Sequence, residues 1–437
     1  MAGQENVTRN EARSSSVSRH VFDNGLTVLL KEVHTAPVIS WWMLYRVGSR
    51  NEHTGQTGIS HWVEHMMFKG TDKFPAGVLD KAIDRIGGSW NAQTSFDYTA
   101  YYETMPASQI DLVLQAEADR MVNAHFNVDD VESERTVIIS EREGSENDPI
   151  YWLFEETNAA AFRVHPYHHQ IIGDMADLKS MTRDDLYRHY QTYYAPNNAI
   201  AVAVGDFETQ TMLARIKELY EDIPSGPAIP PVTRAEPPQQ GERFVKVERY
   251  GNTHHIHLLY RAPEATHPDW FKLKMIDSIL SGASAPGSGG GGNKTSRLYK
   301  ALVEKELASG VNSSLSITID PHTFSLIATV RDGRTPEEVQ AALDAEIDRL
   351  RQGEIVQAEL DKAKKQAKAL FAYGTETVTG QAYWLAFAEN FASYEWYETY
   401  VEQLEAVTLD DVREVAQRYF IPSQRTVGWL IPIKGEN

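Results

Sequence analysis

Two windows of this chain repeat each other, and they constrain its fold more than any bulk quantity does. In "TRDDLYRHYQTYYAPNNAIAVAVG", Thr182, Asp184, Asp185, Tyr193 and Pro196 recur without a gap as Thr408, Asp410, Asp411, Tyr419 and Pro422 of "TLDDVREVAQRYFIPSQRTVGWLI". Each window reads the same physically. A threonine stands where it can cap a helix, and an aspartate three residues on lies near the positive end of the helix dipole. An amphipathic stretch follows, aromatic-x-Pro ends it, and a β-rich run comes next. The constant spacing points to a unit used twice. A chain of 437 residues is long enough for two to three domains. Residues 223–241, with six prolines and little periodicity, read as a linker. The expected division is an N-terminal α+β domain over 1–225, a Pro-rich linker over 226–241 and a homologous C-terminal α+β domain over 242–437.

Within the units, "GLTVLLKEV" and "ISWWMLYRVG" read as strands, and "GVLDKAIDRIGG" and "IDLVLQAEADRMVN" as helices. Their interspersion gives an α+β class, with sheets covered by helices on one side. No apolar run is long enough to span a bilayer. A net charge of −19 argues against a nucleic-acid partner; it either gathers cationic ligands, basic peptides among them, or serves solubility alone. There is no cysteine, so any metal must be held by His, Asp or Glu. The polar start, "MAGQENVTRNEARSSS", has no apolar core like that of a signal peptide. It reads as a cytosolic start or as a chain from which a signal was removed. The Gly-rich stretch 281–296 reads as a flexible loop without phosphate-loop spacing.

The stretch "GISHWVEHMMFKG" (58–70) places His61, Glu64 and His65 in an apolar run. On a helix, His61 and His65 project from one face a turn apart, so both imidazoles can reach one ion. Glu64 lies beside that face. The order is H-x-x-E-H, the inverse of H-E-x-x-H. Two imidazoles and a free carboxylate suit Zn²⁺, with Glu64 as base for a bound water. The competing reading is a polar helix face with two ordinary histidines. The neighbours Ile59, Trp62, Val63, Met66, Met67 and Phe68 weigh against it, because polar groups among them carry a desolvation cost unless paired or metal-bound. A catalytic zinc also needs a third protein ligand. His255 and His257, on one face of an expected strand, have no nearby acid and read as ordinary strand positions. "HPYHH" (165–169) reads as a polar loop.

On these residues the chain resembles the pitrilysin/insulinase class of inverted-motif zinc peptidases, and most closely its short bacterial and mitochondrial-processing-peptidase-like branch. That family's third ligand lies in a helix reading E-R-x-V-[IV]-x-x-E, matched by "ERTVIISERE" from Glu134. The resemblance implies Glu141 as the third zinc ligand and Glu134 as an auxiliary acidic residue. "NAQTSFDYTAYY" (91–102) matches the family's strand near the zinc. It implies peptide binding by edge addition along Asn91–Tyr101, with Asn91, Ala92, Thr94 and Phe96 as substrate-binding positions. "DNGLTVLLKE", "GSRNE", "YYAPNNAIAVAVGDF" and, more weakly, "SRLYKALVEKELASGV" extend the likeness over nearly the whole chain. The implied fold is two homologous α+β halves, each a mostly antiparallel sheet covered by helices. The implied activity is zinc-dependent endopeptidase, one Zn²⁺ per chain, acting on peptides or small unfolded proteins.

One departure matters. Members that act alone carry an Arg and a Tyr in a C-terminal motif L-R-E-K-x-G-L-A-Y-x-V. Here "LVEKELASGV" puts Val303 and Ser309 at those positions, across one gap. The resemblance therefore implies a homologous, non-identical subunit supplying the Arg/Tyr pair, in a heterodimer that encloses a chamber. The alternatives are a non-catalytic scaffold subunit of the same fold and a zinc-dependent binding protein without hydrolysis. Export signals in related bacterial chains imply a periplasmic location, with the cytoplasm as the alternative.

Overall fold

The structure is a computed structural model that describes residues 16–284 and 293–434. The polar start and the centre of the Gly-rich stretch lie outside those residues. The chain forms two sheets. The first contains β1 (Val17–Val21), β2 (Thr27–Glu32), β3 (Val38–Tyr45), β4 (Ser89–Thr94), β5 (Thr99–Pro106) and β6 (Ala199–Gly205), in the order β1-β2-β6-β3-β5-β4. The second contains β7 (Arg243–Tyr250), β8 (His255–Ala262), β9 (Ala308–Leu315), β10 (His322–Val330) and β11 (Arg425–Ile433), in the order β7-β11-β8-β10-β9. Pairing is antiparallel except at β2·β6 and β7·β11. Without β1, the two sheets correspond strand for strand in order and direction. This is the duplication that the repeated windows point to.

Those windows form matching helix–strand units. Thr182 and Asp185 make reciprocal cap bonds at the start of the helix Arg183–Tyr193, which leads into β6. Thr408 and Asp411 do the same for Leu409–Tyr419, which leads into β11. Each box satisfies amide groups that a helix N-terminus would otherwise leave unpaired.

The helices do not cover one side only. The first sheet buries one face under its own helices, among them Ile59–Met66 and Ile110–Asn123, with Trp41, Met43 and Tyr45 inside. Its other face, with Trp42 and Leu44, packs under the helix Val378–Phe391 from the C-terminal half. The second sheet receives in return the helix Pro149–Ala161 from the N-terminal half, laid on β7, β8 and β11. Sheets buried on both faces have strands without polar alternation, and this is why β3 reads VISWWMLY. The exchanged helix passes so close to β11 that a Cβ on Gly428 would overlap Thr157 Oγ1.

Paired arginines anchor the exchanged helices. Arg46, just past the end of β3, donates to the carbonyls of Glu389 and Asn390 at 2.8 and 2.9 Å. Arg261, near the end of β8, donates to the carbonyl of Ala161 at 2.5 Å, and Arg243 donates to those of Ala160 and Ala161. Strand register makes Tyr45 the counterpart of Tyr260, since each pairs with the first residue of β6 or β11. Arg46 and Arg261 are thus equivalent. Each cation meets the negative end of a helix that belongs to the other half.

Candidate metal centre

The helix Ile59–Met66 is only two turns long, and its start is fixed from outside itself. Gly58 has φ +87°, and a Cβ there would overlap the carbonyl oxygen of Ile172, so only glycine fits. The buried Glu52 carboxylate accepts from Gly58 N at 2.8 Å and Ser60 N at 2.9 Å. An acid at this end satisfies two free amides and complements the helix dipole.

From this helix His61 and His65 point the same way, with ring centroids 4.7 Å apart. Glu141 reaches them from the helix Val128–Glu146. Its Oε2 lies 3.9 Å from His61 Nε2 and 3.7 Å from His65 Nε2. Donors ~2.1 Å from one ion at tetrahedral angles sit about 3.4 Å apart. The three ligand atoms all fall within 4.8 Å of one another. Two imidazole nitrogens and one carboxylate, without sulfur, suit zinc among the biological metals. Burial, together with neighbouring His65, pushes His61 down to about 4, so its ring is neutral and free to ligate at neutral pH.

His65 is oriented by Glu134, whose Oε2 lies 3.0 Å from Nδ1. That leaves Nε2 for an ion, the carboxylate–histidine arrangement common around metals. Glu134 is itself paired with Lys69. Lys69 and the His65 contact outweigh desolvation and hold the Glu134 carboxyl below its ordinary range. Glu134 and Glu141 stand two turns apart on one helix face, one behind the ligand and one beside it.

Glu64 is buried and accepts from Thr94 Oγ1 at 2.5 Å. Burial raises its pKa, which Thr94 and His65 only partly counter. His61, Glu64 and Glu141 open into a cleft of about 670 Å³ that Ala92, Gln93 and Thr94 also line. Every residue lining this cleft, among the described residues, comes from the N-terminal half.

The stretch 91–102 is not the single strand expected from its sequence. It is a hairpin: β4, the outermost strand of the first sheet, then a turn over Ser95–Tyr98, then β5 inside the sheet. Ser95 N closes the turn on the Tyr98 carbonyl at 2.8 Å, and Asp97 anchors it by accepting from Tyr167 Oη at 2.6 Å and from Ile319 N at 3.0 Å. As a result Ala92 and Thr94 face the metal cleft. Asn91 is exposed and bonds its side chain to the amide of Ala92. Phe96 turns away and packs on Tyr167 and His322, with ring centroids 5.3 Å away in both cases.

Other residues at the site have weak sequence signals. Glu52 lies well ahead of the helix it caps. Lys69 follows the motif as an ordinary surface-type residue. Arg50 and His165 both pair with Asp320 of the C-terminal half, joining the halves beside the β4 turn. His255 and His257 are strand residues, and His257 Nε2 bonds Ser325 at 2.8 Å.

Two family descriptions match. "Insulinase (Peptidase family M16)" covers residues 27–175, and "Peptidase M16 inactive domain" covers residues 180–367. The chain belongs to the M16, pitrilysin/insulinase-type, peptidase family. The zinc protease PqqE of Helicobacter pylori is 33% identical over 94% of this chain and 91% of its own length. A protein of Arabidopsis thaliana, described as a probable mitochondrial-processing peptidase subunit beta, is 24% identical over 94% of this chain and 77% of its own. The crystal structure of a protease from Helicobacter pylori matches with a TM-score of 0.89 at 33% identity, covering 95% of this chain and 99% of that one. The inactive-domain match spans the helix Asp269–Ser281, which stands against β9 as Ile59–Met66 stands against β4. It carries Lys274 and Asp277 instead of a histidine motif. Among the described residues, the candidate metal donors of this M16 chain therefore sit in its N-terminal half.

Proposed function

We propose that this chain is a zinc-dependent endopeptidase of peptides and small unfolded proteins, and the catalytic subunit of a heterodimer. The observation that carries the reading is the convergence of His61, His65 and Glu141 beside a buried Glu64 that is not one of the three donors. An ion held there would supply Lewis acidity and a water of lowered pKa. Glu64 takes the proton of the attacking water and delivers it to the leaving amine; its raised pKa suits a group that must both accept and release a proton. Glu134 fixes the tautomer and the aim of His65. The free edge of β4 pairs the substrate main chain, a mode indifferent to side-chain sequence.

The partner is proposed from what the cleft lacks. No arginine or tyrosine lines it among the described residues, and the C-terminal half contributes nothing to it. Val303 ends a helical turn, and Ser309 is exposed on β9. A homologous, non-identical subunit would bring the cationic and phenolic groups to the scissile carbonyl.

Glu64→Gln tests the chemistry. Zinc content should stay at one per chain while peptide cleavage falls by about 10²–10⁴-fold. Full activity in that variant would remove Glu64 as the base. Robust cleavage by the isolated chain would remove the partner.

A further inference from the structure

A second cleft, of about 280 Å³, opens between the two halves next to the metal cleft. Its walls are Phe96 and Tyr98 from the turn after β4, Leu315 at the end of β9, and Tyr383 and Phe387 from the exchanged helix. The rings of Tyr383 and Phe387 stack at 5.5 Å, and Tyr98 meets Phe387 edge-on at 5.6 Å. These rings pack on one another along the wall of the gap. Ser95, Ser314 and Ser316 rim it with hydroxyls.

Two features tie this gap to the peptide-binding edge. Gln93, which lines the metal cleft, donates to Tyr98 Oη at 2.9 Å, so one side chain forms the wall between the two spaces. The outermost strands of both sheets, β4 and β9, also end at the gap. A peptide lying along β4 past Thr94 is delivered to its mouth. Thr94 bonds the proposed base, and a strand advances ~3.3 Å per residue. The gap therefore lies roughly two to four residues from the bond to be cleaved.

We propose that this inter-half cleft is a specificity site for an aromatic side chain of the substrate, two to four residues from the scissile bond. The proposal rests on the peptidase reading above. Its occupant follows from continuity with the β4 edge and from the chemistry of the walls. Aromatic rings favour offset or edge-on partners, and the serine rim suits a tyrosine hydroxyl as well as a phenylalanine. The site needs both halves, which gives the exchanged helix a role in substrate choice.

The test compares two peptides that differ by Phe against Gly at those positions, with the complex purified from its native host carrying either the wild-type chain or Ser314→Trp, which fills the cleft from its rim. Wild type should prefer the Phe peptide about tenfold in kcat/KM, the yield of burying much of one ring. Ser314→Trp should bring the ratio close to one. A second arm measures competitive binding of the same peptides to zinc-loaded Glu64→Gln protein, with and without Ser314→Trp. The same tenfold preference and its loss are expected there. Equal affinity for both peptides, or a preference untouched by Ser314→Trp, overturns the cleft. Selective binding without cleavage by the Glu64-intact complex, its partner subunit present, keeps the cleft and sinks the peptidase reading instead.

Discussion

The helices Ile59–Met66 and Asp269–Ser281 occupy one station in two copies of the same unit, each packed against the edge strand of its sheet, but they solve the burial of charge differently. In the first, Glu64 bonds Thr94 near β4's end, and two histidines three residues before it and one after face a carboxylate. In the second, Asp277 bonds Ser313 on β9 at 2.6 Å, and Lys274, three residues before it, meets Asp277 and Ser284 at 2.8 Å each. Lys274 and Asp277 are fully buried. The C-terminal half thus carries its own cation, covalently attached, which no chelator can remove. The N-terminal half leaves a set of candidate donors facing an open cleft. One duplication has given a permanent internal ion pair and an open donor set.

The largest expected effect comes from breaking the internal pair. Lys274→Met should destabilise the metal-free protein by about 3–5 kcal/mol, since it strands a buried carboxylate. Lys274→Met with Asp277→Leu should recover a good part of that loss. The counterpart, His61→Ala, should cost the metal-free protein under ~1 kcal/mol, because His61 Nδ1 has no hydrogen-bond partner among the described residues and the site opens to solvent. Urea titrations in chelator measure both. Equal losses for the two variants would show that the stations are energetically alike after all.

The second way to separate the halves is pH at their junction. Burial outweighs the bonds from Tyr167 and Ile319 and the nearby Arg50, and pushes the Asp97 carboxyl up to about 6; Asp320, facing Arg50 and His165, goes down to about 2. A carboxyl whose folded pKa is raised binds protons on folding, so Asp97 favours the folded state at low pH and loses that advantage as pH rises from about 4 to about 6. Asp320 has the opposite sign: its contribution is complete above about 4 and fades toward 2. Asp97→Asn should therefore flatten the stability change between pH 4 and 6, by about 2–3 kcal/mol. An unchanged slope in urea midpoints across that window would remove Asp97 as its source.

Much of this architecture was legible, and the gaps have physical causes. The capping boxes at Thr182 and Thr408 are local, so spacing alone reveals them. His61, Glu64 and His65 are likewise local to two helical turns. Glu141 and Glu134 sit in a helix whose pattern is unremarkable, and only the family resemblance singles them out. The turn at Ser95–Tyr98 has little local signal, because Asp97, which anchors it, is satisfied by Tyr167 and Ile319, far away in sequence. The sequence places Phe96 on the substrate edge for that reason, and the structure turns it toward the other half. The exchange of helices is a long-range feature, yet the sequence holds a local signal of it. Leu44-Tyr45-Arg46 and Leu259-Tyr260-Arg261 repeat the same tripeptide, and its arginine is the anchor for a helix from the opposite half.

A smaller effect sharpens the metal side. Glu134→Gln keeps an acceptor for His65 Nδ1 but loses the charge that Lys69 neutralises. Zinc affinity, measured by competition with a chromogenic chelator, should fall about tenfold, and up to about 100-fold for Glu134→Ala. An affinity unchanged by Glu134→Ala would leave Glu134 a structural partner of Lys69 alone.

The smallest effect asks whether the two anchor arginines are energetically equivalent as well as positionally so. Arg46 is the sole side chain bonded to the carbonyls of Glu389 and Asn390 among the described residues. Arg261 shares Ala161 with Arg243, so its removal leaves that helix end still capped. Its other partner, Glu236, keeps three backbone amides, from Arg163, Val164 and His165. Hydrogen bonds to charged groups contribute roughly 1.5–3 kcal/mol. Arg46→Met should therefore cost about 2 kcal/mol and Arg261→Met only about 1 kcal/mol. Arg243→Met with Arg261→Met should exceed the sum of its parts, because only then is the helix end bare. Strict additivity of that pair in urea unfolding would show that the two guanidiniums do not substitute for one another.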